Sequence, residues 1–352
     1  VDVKRNNIVD PVIPDITTKT LTNITISKIL KDEAADQLVG RINAKIYIDD
    51  VYIKDVVVNN GNLNVDLKTD TLDEGNYTIR YVLGENGYYN TKTFTSKLVV
   101  INHIVNITLT TNTPKTLQTL QVDAIIIRED KTLINSGVVV FKINNIEVGR
   151  SNVTGGYAHL NYKLPPEIIA EDYMIVAQFS AQYYENQSQW REFSVIRSNI
   201  KEDTLPERTI KTQNNLQINE QLTDEHGENL IGLTQIKVYI NDTYIRDIAV
   251  NNGELNRIIP TDTLHGGVYN IRYEVAQSGL YNAKTINQKL VIENKTAIIT
   301  IDTNTPKTMD ILEINTTIQN LDNTPINTGE AVFKINGDSI NETIIATVVV
   351  NN

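Results

Sequence analysis

Cysteine is absent from the 352 residues, which excludes disulfides, thiolate metal sites and cysteine nucleophiles. Tryptophan occurs once, methionine twice and phenylalanine five times. Apolar volume must therefore come from aliphatic residues and the sixteen tyrosines. Apolar runs such as residues 124–127 and 138–141 fall far short of the ~20 residues of a membrane helix. The first residues, VDVKRNNIVDP, have no apolar signal-peptide core. No basic stripe is present and the net charge is −11, so nothing offers the phosphate neutralisation that nucleic acid requires. No stretch keeps a helical period; residues 167–172, EIIAED, suit one short turn.

Val, Ile, Thr and Tyr dominate instead, and these favour strands. With 40% hydrophobic residues the chain can bury cores. The run GNYTIRY, starting at Gly75, alternates Tyr77, Ile79 and Tyr81 on one face with Asn76, Thr78 and Arg80 on the other. That is the two-residue period of a strand with one buried face. It returns 192 positions on as GVYNIRY from Gly267, and more loosely as DYMIVAQ from Asp172. The turn Asn59-Asn60-Gly61 and the run TNTPKT from Thr111 recur at the same shift. So does VFKIN from Val140. From about Lys19 to Asn144 the match needs no gap, which marks a tandem duplication. Each unit is itself double: Ile46 to Asp49 and Gly61 fall 95 positions before Phe141 to Asn144 and Gly156, a weaker match that needs small gaps. Two modules of ~90–100 residues per unit follow, the size of one immunoglobulin-like sandwich.

The expected fold is all-β: tandem immunoglobulin-like β-sandwiches in a linear array, a two-domain unit repeated every 192 residues. Residues 1–16 read as the end of a preceding module's last strand plus a linker, with Val1 to Lys4 the strand end. Residues 17–102, 103–198 and 209–294 read as complete domains, 199–208 as a linker, and 295–352 as an incomplete domain. The last residues, Val348 to Asn352, resemble Val56 to Asn60 just before a turn glycine. The expectation is a window onto a longer array, with completion by strands of a neighbouring chain as the alternative.

The motif is a glycine before an aliphatic strand, an Asn-Gly hairpin, then Gly-x-Tyr-x-Ile-x-Tyr, then Tyr-Asn before a last aliphatic strand. It resembles the bacterial Ig-like domains of large tandem-repeat surface proteins, and above all the adhesin-like proteins of archaea. Gly40, Asn60, Gly61, Gly75, Tyr77, Ile79, Tyr81, Tyr89 and Asn90 carry it. In the second copy Gly232, Asn252, Gly253, Gly267, Tyr269, Ile271, Tyr273, Tyr281 and Asn282 do. The resemblance implies an extracellular, cell-surface stalk or spacer segment that mediates attachment or envelope architecture without catalysis or cofactor. Its partners are then neighbouring repeats or other copies of itself. A module that binds cell-surface glycans or host proteins, and a filament subunit completed by strand exchange, are the alternative readings.

In such sandwiches a tyrosine two residues before the core position of strand F forms a tyrosine corner. Tyr77, Tyr173 and Tyr269 fit it, with Ile79, Ile175 and Ile271 where antibody domains place cysteine. Gly61 and Gly253 serve tight turns that need positive φ. Sequons begin at Asn23, Asn76, Asn106, Asn152, Asn186, Asn241, Asn294, Asn315 and Asn341, so the chain reads as a candidate glycoprotein. His103, His159, His226 and His265 show no metal spacing and read as surface or loop residues. Asp70, Asp73 and Glu74 share a loop, but the copy reads TDTLHGG, so a solvated turn is expected there and not a calcium site. Tyr52, Tyr88, Tyr89, Tyr183, Tyr184, Tyr244 and Tyr281 are weighed as sugar-facing rings.

Overall fold

The computed structural model describes residues 3–321, 323–326, 328–335 and 343–350. Among them every regular element is a strand, and residues 166–168 form a turn and bend. The chain divides into two units, Val1–Ile196 and Arg197–Asn352.

The first sandwich contains β1 (Ile16–Lys19), β2 (Ile24–Ile29), β3 (Arg41–Ile48), β4 (Val51–Asn59), β5 (Asn62–Leu67), β6 (Gly75–Leu83) and β7 (Lys92–Ile101). Their order is β1-β7-β6-β3-β4-β5-β2. One residue pair, Asn59↔Asn62, joins β4 to β5, so the sheet folds over on itself there. The inward residues of β3, β5, β6 and β7 alternate strictly with outward ones, and Ile46, Val65, Ile79, Tyr81 and Leu98 meet in one core. That is the hydrophobic-in, polar-out rule of a two-layer sandwich.

The second sandwich has β8 (Val105–Thr111), β9 (Thr119–Arg128), β10 (Val138–Ile143), β11 (Ile146–Asn152), β12 (Tyr157–Lys163), β13 (Asp172–Ser180) and β14 (Gln187–Ser194). They form two sheets, β11-β10-β13-β14 and β12-β9-β8. Between the sheets lie Val122, Phe141, Ile175 and Phe193. In the second unit, β15 (Thr204–Lys211), β16 (Leu216–Gln221), β17 (Leu233–Ile240), β18 (Thr243–Asn251), β19 (Glu254–Ile259), β20 (Gly267–Val275) and β21 (Lys284–Glu293) repeat the strand order of the first sandwich. The fourth module holds β22 (Ala297–Thr303), β23 (Ile314–Asn320), β24 (Glu330–Ile335) and β25 (Thr343–Val349), paired two by two. Phe333 is half-buried where its counterpart Phe141 is fully buried.

Several expectations need correction. Residues 5–13 are more than a linker: Ile8 is in the first core, Asn6 bridges to Tyr89, and Val9 N–H donates to the Lys31 carbonyl at 3.0 Å. Val3 and Lys4 lie outside any strand. The span 199–208 likewise buries Ile200 and Leu205 and starts β15. The hairpins that lead from β3, β10 and β17 into β4, β11 and β18 use no glycine. Asp49-Asp50, Asn144-Asn145 and Asn241-Asp242 take the two positive φ angles instead. Asn and Asp tolerate that region best among residues with a Cβ.

Candidate functional site

Strand β6 starts on a turn, and Tyr77 folds back over that turn. Its hydroxyl donates to the Asp73 carbonyl at 2.9 Å. Tyr173 donates to the Ile169 carbonyl at 3.1 Å, and Tyr269 to the His265 carbonyl at 3.0 Å. Each bond reaches four residues back, so three loops of different sequence are closed by the same device. Burial raises the Tyr77 hydroxyl above its ordinary pKa, with the Asp73 charge adding to it, which keeps the donor protonated. Tyr77→Phe and Tyr269→Phe are each expected to destabilise their own sandwich by about 0.5–1.5 kcal/mol, the net value of one hydrogen bond. Hydrogen exchange resolved by segment is the measurement; unchanged protection in both variants would remove the corner from the account.

The turn glycines sit at φ +73° (Gly61) and +75° (Gly253). The Gly61 carbonyl accepts from Leu30 N–H at 2.7 Å, and the Gly253 carbonyl from Leu222 N–H at 2.8 Å. Each turn thereby clamps the loop that follows β2 or β16.

The first and second sandwiches meet in a polar joint that the sequence did not reveal. Thr20, fully buried, donates its hydroxyl to the Tyr183 carbonyl at 2.7 Å. His103 is a loop residue, as expected, but it is buried and not on the surface. Its Nε2 lies 2.8 Å from the Thr20 carbonyl and its Nδ1 3.1 Å from Glu129 Oε1. Arg128 Nη1 approaches Nε2 at 3.5 Å. Lys19 pairs with the same Glu129 carboxylate. Burial works to raise the Glu129 carboxyl, but hydrogen bonds from Lys19 and His103 outweigh it and hold the pKa at about 2. Asp73 accepts from Gln182 Nε2 at 2.8 Å, and Glu74 from Asn102 at 2.9 Å, so the acidic loop serves the joint. In the second unit the counterparts of His103 and Glu129 are Lys295 and the exposed Leu321. There Lys295 N–H donates to Thr212 Oγ1 at 3.3 Å.

The other histidines are exposed. Eight sequon asparagines, Asn23, Asn76, Asn106, Asn152, Asn186, Asn241, Asn294 and Asn315, are exposed too, while Asn341 lies outside the described residues. Asn23 and Asn241 use their side-chain oxygens to accept from Thr69 N–H and Asn270 N–H. Of the tyrosines weighed as sugar-facing, Tyr89, Tyr184 and Tyr281 are buried. The hydroxyls of Tyr89 and Tyr281 accept from Val39 N–H and Ile231 N–H. Tyr52, Tyr88 and Tyr244 remain at the surface.

No protein-family model and no curated protein matches the chain. Among solved structures it is similar to a tetra-tandem repeat in the extending region of a large adhesion protein. That match has 12% identity and a TM-score of 0.39, over 98% of this chain and 99% of the other. It is similar to an I-band fragment of titin at 13% identity and a TM-score of 0.33, over 82% and 97%. A 1.5-MDa bacterial ice-binding adhesin, whose structure concerns host cell surface retention, matches at 12% identity and a TM-score of 0.28, over 82% and 98%.

Proposed function

We propose that the chain is a structural segment of a cell-surface, adhesin-like repeat protein, acting as a non-catalytic spacer of the archaeal kind its motifs resemble. The observation that carries this is the duplicated sandwich unit whose first two modules share a buried polar joint. A flexible string of domains needs no such joint. Here Thr20 bonds across the modules to Tyr183 and His103, and Lys19 to Glu129. A rigid joint transmits position from one module to the next, which suits a part that holds something away from an envelope. Exposed sequons fit an extracellular setting. Antibodies raised against this chain are expected to label intact cells of the source organism, and brief protease treatment of those cells is expected to remove the label. Labelling seen only after the cells are opened would overturn the reading.

A further inference from the structure

The internal duplication permits a test that a single domain does not: exposed positions can be compared between copies. On the outer surface of β2 and β5 they have drifted. Thr25, Ser27, Asn62 and Asp66 stand where the copy has Gln217, Asn219, Glu254 and Ile258. On β3, β4 and β6 six outward positions of one patch keep their residues, although Val82 beside them is Glu274 in the copy. Lys45, Tyr47, Asp50, Tyr52, Asp55 and Arg80 recur as Lys237, Tyr239, Asp242, Tyr244, Asp247 and Arg272.

The geometry recurs as well. Arg80 lies over the Tyr47 ring at 4.1 Å and Arg272 over Tyr239 at 4.1 Å. Tyr47 meets Tyr52 edge to face at 5.8 Å, and Tyr239 meets Tyr244 at 5.7 Å. Asp50 and Asp242 hold the arginines at 2.9 and 3.2 Å. The outer tyrosines stay 51% and 52% exposed. Exposed ion pairs contribute little to stability. What this network does is fix the orientation of aromatic rings in water, which removes an ordering cost from binding. Next to it, on the third sandwich, lies an open depression of about 510 Å³ lined by Gln235, Lys237, Asp247, Glu274, Lys284 and Thr285. That is within the range of ligand sites.

The chemistry selects a ligand class. The six preserved residues balance two cations, Lys45 and Arg80, against two carboxylates, Asp50 and Asp55, and the third sandwich adds a further carboxylate, Glu274, so neither copy carries excess positive charge. A surface without excess positive charge in a chain of net charge −11 favours an uncharged ligand over a polyanion. Carboxylates and lysines beside fixed tyrosines offer acceptors, donors and an apolar ring edge together. A pyranose has hydroxyls around a C–H face and matches all three. We infer that this outer patch, on the first and third sandwiches, binds neutral pyranose units of a polysaccharide.

The test is native electrophoresis of the full chain through gels holding starch, mannan or a soluble β-glucan, with polygalacturonate as the charged control. Retardation by at least one neutral polymer is expected. The double variant Tyr52→Ala with Tyr244→Ala should weaken it at least tenfold without moving the melting temperature, and Tyr52→Trp with Tyr244→Trp should keep it. Asp55→Ala with Asp247→Ala, which removes the carboxylates bonded to these tyrosines, should also weaken binding. Migration unchanged in every neutral gel overturns the inference, as does retardation by polygalacturonate alone. Self-association in sedimentation that is lost in the tyrosine double variant, without neutral-polymer binding, would also overturn it and assign the patch to a second copy.

Discussion

Gly253→Ala is expected to lower the stability of the third sandwich by about 3 kcal/mol, whereas Gly232→Ala, in the same sandwich, costs about 1 kcal/mol. Both glycines have positive φ, +75° and +83°. A residue with a Cβ placed in the left-handed region costs ~1–2 kcal/mol. The difference lies in the space around them. A Cβ on Gly232 would meet nothing within 4 Å, but one on Gly253 would stand 2.4 Å from the Leu222 carbonyl oxygen. That oxygen is backbone and cannot swing away. Either the turn or the segment after β16 must shift, straining the bond between Leu222 N–H and the Gly253 carbonyl. Overpacking of this kind adds ~1–3 kcal/mol. Gly61→Ala should behave like Gly253→Ala, since its Cβ would lie 2.8 Å from the Leu30 carbonyl oxygen. Segment-resolved hydrogen exchange in mild denaturant compares the variants. Equal losses for Gly253→Ala and Gly232→Ala would show that conformation alone sets the requirement and that the close approach is relaxed in solution.

The parts of the fold that were legible are those in which a residue's role is written in its neighbours along the chain. Strand β6 alternates, so Tyr77, Ile79 and Tyr81 announce their common face. A gapless repeat carries the same pattern to β20. What was hidden depends on partners distant in sequence or on elements with two exposed faces. Strand β4 runs along the fold between the two layers and buries only Val58 completely, so it shows no period. Ile8 is buried while its neighbour Val9 is exposed, so the run shows no period, and Ile8 bridges to Asp32, distant in sequence. His103 looks like a loop residue because Thr20 and Glu129, which enclose it, lie 83 and 26 positions away. The exposed patch was half visible: Tyr52 and Tyr244 stood out as surface rings, but their union with Arg80 and Arg272 needs three strands in register.

Ile79→Ala is expected to destabilise the first sandwich by about 2–5 kcal/mol, the range for truncating a fully buried aliphatic residue. Ile79 has no exposed surface and stands opposite Ile48 on β3, in the core with Tyr81 and Leu98. Where antibody domains pin the two sheets with a disulfide, this chain has only apolar contact, so removing three carbons leaves a void with no covalent tie to limit opening. Ile79→Val, which removes one methylene, should cost about 0.5–1.5 kcal/mol. Ile271→Ala should reproduce the loss in the third sandwich, because Ile271 is equally buried and faces Ile240. The two positions lie in different units of the chain, so their effects should add. The second sandwich shares the Thr20–His103 joint with the first, so Ile79→Ala should also weaken exchange protection around His103. Ile271→Ala should leave that protection unchanged. Equal loss around His103 in both variants would mean that the modules do not open as separate units. No loss in either would mean that the joint holds its bonds whether or not the first core is intact.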